Sequence, residues 1–210
     1  MSRFWDYDND VMSILRNVVE TLILGLLWMI CSVPVITIGA SSAAFYYAYH
    51  KSVRMGKGYA WKEFFRGFKS NFKGATKLWL ILAAIGVIIG LDYWLLLSMV
   101  EALQIAKVLQ ALLFVVSVFW VMSVLWAFSY LARFEIKTKA LLKNLLILIL
   151  ANFPRVVLVL LIFAGACLAA LKIPFVGLAM PAIYIYFANR IMEKVFRKYM
   201  SKEDLEKEMI

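Results

Sequence analysis

LLWMICSVPVITIGASSAAFYYAYH, residues 26–50, carries no Asp, Glu, Lys or Arg, and one feature interrupts it: SVPVITIGAS at 32–41. The charge-free sequence begins at Thr21 and the apolar pattern reaches back to residue 11. As one helix, residues 11–50 would run to roughly 60 Å at 1.5 Å per residue, whereas a hydrocarbon core of ~30 Å takes about 20 residues. The segment therefore has to break. Pro34 removes a backbone donor, β-branched Val35, Ile36, Thr37 and Ile38 follow, and Gly39 with Ser41 can open a new helix. The expected result is a hairpin of two membrane spans at about 12–32 and 39–54. A five-span alternative puts the break inside one kinked or re-entrant span and moves the N-terminus to the other side.

Composition points the same way along the whole chain. With 64% hydrophobic and 17% charged residues among 210, and a mean hydropathy of +0.84, there is more apolar material than a soluble core hides. The class is all-α: a polytopic transmembrane helix bundle forming a single integral membrane domain over 1–210. Residues 11–33 are too long for a removable signal peptide and lack a small-residue cleavage site, so the first apolar segment is expected to stay. Cys31 and Cys167 lie in apolar runs without metal or redox spacing and read as small buried hydrophobes.

Basic residues set the orientation, because short cytoplasmic loops collect them. Lys51, Arg54, Lys57, Lys62, Arg66, Lys69, Lys73 and Lys77 form one group; Arg133, Lys137, Lys139 and Lys143 a second; Arg190, Lys194, Arg197, Lys198 and Lys202 a third. The intervening turns hold Lys107 and Lys172. Six spans follow, at 12–32, 39–54, 76–99, 108–132, 154–172 and 174–190, with both termini expected on the cytoplasmic side of the membrane. Pro154 suits the first turn of its span.

WKEFFRGFKSNFKGATK, residues 61–77, mixes phenylalanines with cations. At 100° per residue Trp61, Phe64, Phe65, Phe68 and Phe72 share a face, with Lys62, Arg66, Lys69, Lys73 and Lys77 beside it. The pattern predicts a cytoplasmic amphipathic interfacial helix over 58–74, its aromatic face at the headgroup boundary and its lysines on anionic lipid headgroups. Gly67 and Gly74 fall on a third face that could admit a partner helix. Aromatic and basic residues also suit single-stranded nucleic acid, but flanking membrane spans direct this segment to lipid or protein, and no nucleic-acid partner is expected.

Enzymatic signatures are missing from the sequence: there is no Gly-rich phosphate loop and no paired-cysteine motif, and His50 is the single histidine. The expectation is a non-enzyme without metal or cofactor. Four ionisable residues stand out as candidates for transport or polar contact. Asp92 lies inside a span, where an acid is costly; Arg155 follows Pro154 near the inner end of another; Arg133 and Glu135, two apart, do not pair along one helix and are free to reach other segments. A shift of 81 residues also aligns NFKGATKLWLILAAIG from Asn71 with NFPRVVLVLLIFAGAC from Asn152, as a parallel repeat would.

Three blocks, LLWMICSVPVITIGASSAAFYYAYHKSVR at 26–54, GYAWKEFFRGFKSNFKGA at 58–75 and YLARFEIKTKALLKNLLILILANFPRVV at 130–157, resemble the YesL-like family of bacterial membrane proteins. The resemblance covers nearly the whole chain. Members of that family are often encoded beside binding-protein-dependent sugar importers and carbohydrate-degrading enzymes. It implies a non-enzymatic accessory role in an ABC-type carbohydrate import system, with permease subunits as partners, and it supplies no catalytic residues. The alternative is a small independent transporter or channel with Asp92 in its pathway.

Overall fold

The computed structural model describes residues 3–99, 104–134 and 138–200, and these are helical throughout apart from short links. Seven α-helices follow in order: α1 Arg3–Ser32, α2 Ile38–Ala48, α3 Ala60–Met99, α4 Gln104–Arg133, α5 Thr138–Ala151, α6 Phe153–Lys172 and α7 Pro174–Phe196. A 3₁₀ turn, Val35–Thr37, leads into α2, and a π turn, Tyr49–Arg54, leaves it.

The break foreseen at 32–41 folds as a reversal. α1 ends at Ser32, and α2 starts after Pro34 and the 3₁₀ turn. Trp28 Nε1 donates to Ser42 Oγ over 3.1 Å and Ser32 Oγ to Ser41 Oγ over the same distance, so α2 runs back along α1. Ser41 Oγ donates to Thr37 O at 2.6 Å, occupying a carbonyl in the first turn. At Gly39 an added Cβ would lie 2.5 Å from Ala75 O and 2.7 Å from Trp79 Cβ, so only glycine lets α2 approach α3 there.

Four helices are long and apolar enough to cross a membrane: Met12–Ser32, Ala60–Leu97, Lys107–Arg133 and Phe153–Lys172. They cover four of the six expected spans. The expected span at 39–54 is α2 with its π turn. Its small residues GASSAA allow close packing from several sides, and Ala40, Ala43, Ala44, Tyr46 and Ala48 are buried, so α2 forms the interior of the bundle rather than a lipid-facing span. The expected span at 174–190 is the greater part of α7. Pro154 sits in the first turn of α6, as its missing donor favours.

The interfacial helix expected over 58–74 is not a separate element. Residues 60–99 form one helix of 40 residues, roughly 60 Å long. Nothing between the two halves breaks it, because Gly67 and Gly74 keep helical backbone and no proline intervenes. Among the described residues positive φ is confined to Gly56 and Gly58, in the link before it. The first half packs against α2, with Gly67 against Ala44 and Tyr47, and the second half from Leu78 is apolar apart from Asp92. Under the 81-residue shift the unbroken α3 maps onto residues 141–180, which are divided among α5, α6 and the start of α7.

α1 and α7 are antiparallel, with Gly25 beside Ala182 and Ile14 and Asn17 sharing a groove with Arg190 and Lys194. Arg54 lines the same groove, and Arg133 reaches α7. The start of α1, the end of the π turn and the ends of α4 and α7 thus gather at one end of the bundle. Phe196 closes the core there, with its ring 5.7–6.0 Å from those of Tyr46, Trp126, Tyr130 and Phe134.

Candidate functional site

Tyr46, His50 and Arg54 recur every fourth residue through α2 and the π turn, and Asn189 and Glu193 recur likewise on α7. Residues four apart share a helix face, so the two ladders meet as the helices pack. Tyr46 Oη donates to Glu193 Oε1 at 2.6 Å, and His50 Nδ1 lies 3.4 Å from the same oxygen. Arg54 Nη1 donates to Asn189 Oδ1 at 3.0 Å and to Asn189 O at 3.3 Å. His50 also hydrogen-bonds the Asn189 side chain. The Tyr46 and His50 rings are parallel within 4°, with centroids 6.4 Å apart. The π turn itself is closed by Met55 N donating to His50 O at 3.1 Å; such widened turns occur often at functional positions.

Arg133 joins from α4, its Nε 3.4 Å from Glu193 Oε1 and its Nη2 3.3 Å from Met200 Sδ. Glu193 is wholly buried. A carboxylate in that position is tolerable because it faces a guanidinium and accepts a phenolic hydrogen bond. Its Oε2, like Asn189 Nδ2, has no hydrogen-bond partner among the described residues. The group holds α2, α4 and α7 together through one oxygen, and its hydroxyl, imidazole and carboxylate are groups between which a proton can pass.

A second buried acid fixes α3 to the π turn. Glu63 Oε2 lies 3.0 Å from Lys51 Nζ and its Oε1 2.8 Å from Arg66 Nη1. Phe64, next to it, is completely buried, while Phe68 is half-buried. Trp61, Phe65 and Phe72 are exposed, as are Lys62, Arg66, Lys69, Lys73 and Lys77. The expected aromatic face is therefore divided: Phe64 belongs to the core, and the rest remains at the surface. The third face is not open to a partner. An added Cβ on Gly67 would lie 2.8 Å from Tyr47 Cδ1 and 3.3 Å from Ala44 Cα, and one on Gly74 would meet Leu131, so the chain's own α2 and α4 occupy it.

The structure brings Arg133, alone of the four ionisable candidates, into the cluster. Asp92 is exposed on the second half of α3, 25 residues and roughly 37 Å along the helix from Gly67, which packs at the level of Tyr47. Arg155 is half-buried, with Nη1 3.4 Å from Asn152 Oδ1. Glu135 lies outside the described residues. Tyr46, His50, Arg54, Asn189 and Glu193 were not anticipated. The available signal was their fourfold spacing, Tyr-x3-His-x3-Arg from Tyr46 and Asn-x3-Glu from Asn189.

Residues 21–93 match the family DUF624, described as a protein of unknown function. The DUF624 segment contains the last part of α1 from Thr21, all of α2 and α3 as far as Tyr93, and so includes Tyr46, His50, Arg54 and Glu63. Arg133, Asn189 and Glu193, which complete the buried cluster, lie beyond it. No curated protein and no solved structure matches the chain. No group of three or more metal-ligating side chains occurs among the described residues.

Proposed function

We propose that this protein is a non-catalytic membrane accessory protein that works beside the membrane subunits of an ATP-driven carbohydrate importer in the bacterial cytoplasmic membrane. The observation that carries the accessory role is the rigid mounting of the first half of α3. Gly67 and Phe64 seat it against α2, Glu63 ties it to Lys51, and Trp61, Phe65, Lys62 and Lys69 stay exposed on the far side. A pre-positioned surface of aromatics and cations loses little entropy on docking. The resemblance to the YesL-like family supplies the carbohydrate importer as the partner.

Purification from the native membrane in a mild detergent tests this reading. Permease subunits should accompany the wild-type chain, and a Trp61→Ser, Phe65→Ser variant should remain monodisperse in the membrane but lose them. A wild-type preparation free of permease subunits sinks the proposal.

Glu193 favours a second reading, an independent transporter whose polar centre is the buried cluster in place of Asp92. A wholly buried carboxylate between three helices is where proton-linked carriers place theirs. Flux into proteoliposomes without any ATPase, abolished by Glu193→Gln and kept by Asp92→Asn, is the outcome it requires.

A further inference from the structure

A groove of about 880 Å³ lies between α1, the π turn and α7, within the size range of sites for small amphiphilic ligands. Its lining changes character along its length. At one end stand Arg54, Arg190 and Lys194, all exposed; toward the other lie Leu22, Ile183 and Phe187. Among the described residues no acidic side chain lines it, and none of the three cations is ion-paired.

Two of the cations are held in place by uncharged neighbours. Arg54 Nη1 donates to Asn189, and Arg190 stacks 4.5 Å from the centre of the Tyr186 ring while its Nη2 donates to the Tyr186 hydroxyl at 2.8 Å. Their charge is thus oriented without being neutralised. Asn189 is fully buried at the wall of the groove, and its Nδ2 has no hydrogen-bond partner among the described residues. The α1 wall belongs to the span-length segment Met12–Ser32, whose Leu22 is exposed, so the apolar end opens on the surface that meets lipid tails.

We propose that this groove seats one anionic phospholipid, its phosphate among Arg54, Arg190 and Lys194 and an acyl chain along Leu22, Ile183 and Phe187. A cationic cleft between membrane helices, continuous with an apolar trough, matches both parts of such a molecule. A free anion satisfies the cations and leaves the trough empty; a zwitterionic lipid fills the trough and brings its own cation to the basic end.

Native mass spectrometry and thermal melting of the full chain in mild detergent, with added dioleoyl phosphatidylglycerol, dioleoyl phosphatidylcholine or inorganic phosphate, test the assignment. Phosphatidylglycerol should stay bound at one molecule per chain and raise the melting temperature, and the other two should do neither. Arg190→Gln with Lys194→Gln should weaken its binding about 10-fold or more. Lys107→Gln with Lys172→Gln, at the opposite end of the bundle, should leave binding unchanged. Equal stabilisation by inorganic phosphate, equal retention of phosphatidylcholine, or wild-type phosphatidylglycerol binding by the Arg190, Lys194 variant each overturns the assignment.

Discussion

Tyr46 Oη donates to Glu193 Oε1 over 2.6 Å, joining positions 147 residues apart in sequence. Both groups are buried, and the bond is the shortest link between α2 and α7 in the cluster. Removing a donor to a buried carboxylate costs more than the net value of a hydrogen bond, because the acceptor stays desolvated. Tyr46→Phe keeps the ring that stacks on His50 and meets Phe196 edge-on. It should destabilise the fold by about 1–3 kcal/mol, read as a lower melting temperature in detergent. An unchanged melting temperature means the hydroxyl contributes nothing to the cluster.

The ion pair between Arg133 and Glu193 should show the asymmetry of buried charges. Arg133→Met leaves a fully buried carboxylate without its guanidinium, at a cost of about 3–5 kcal/mol, whereas removing both charges costs far less. The double variant Arg133→Met, Glu193→Met is therefore expected to melt closer to wild type than Arg133→Met alone. Additive losses in that double-mutant cycle would mean that the two groups do not interact.

Gly86 and Gly90 stand one turn apart on α3 and should respond oppositely to alanine. At Gly86 the new Cβ would come 2.5 Å from Trp120 Cζ2, and that indole is tied down by Nε1 donating to Leu82 O at 2.8 Å. At Gly90 nothing lies within 4 Å. Gly86→Ala should lower the melting temperature as α4 is pushed away, and Gly90→Ala should hold or raise it, since alanine favours helix. Identical melting curves for the two would contradict the close packing of α3 on α4.

The helical class, the hairpin at Pro34 and the start of α6 at Pro154 were legible because each is decided locally, by segment length or by a missing backbone donor. Residues 61–77 read as surface because periodicity shows that Phe64 and Phe65 differ from their lysine neighbours but not which one meets another helix. Burial of Phe64 depends on α2, whose approach is permitted by Gly39 and Gly67 from opposite sides of the interface. Glu193 was passed over for a related reason. In ANRIMEKVFRK (188–198) an acid among cations looks like a solvated tail, and the pairing with Tyr46 and Arg133 exists only once three distant helices converge.

Convergence of the basic segments at one end of the bundle gives a topology test. Arg54, Arg190 and Lys194 border one groove, so the link that carries Lys57 and the turn that carries Lys198 emerge near each other, while Lys172 ends α6 at the far end. All three lysines are exposed. Cytoplasmic enrichment of lysine and arginine predicts the first two inside and Lys172 outside. With Cys31 and Cys167 replaced by alanine, single cysteines at these positions can be treated with a membrane-impermeant maleimide added to intact cells. Lys172→Cys should react at once, and Lys57→Cys and Lys198→Cys only after the cells are permeabilised. Reaction of Lys57→Cys and Lys198→Cys in intact cells, with Lys172→Cys protected, would invert the orientation but keep the fold. Opposite behaviour of Lys57→Cys and Lys198→Cys would separate two points that the α1, π-turn and α7 groove places at the same end, and would break the fold itself.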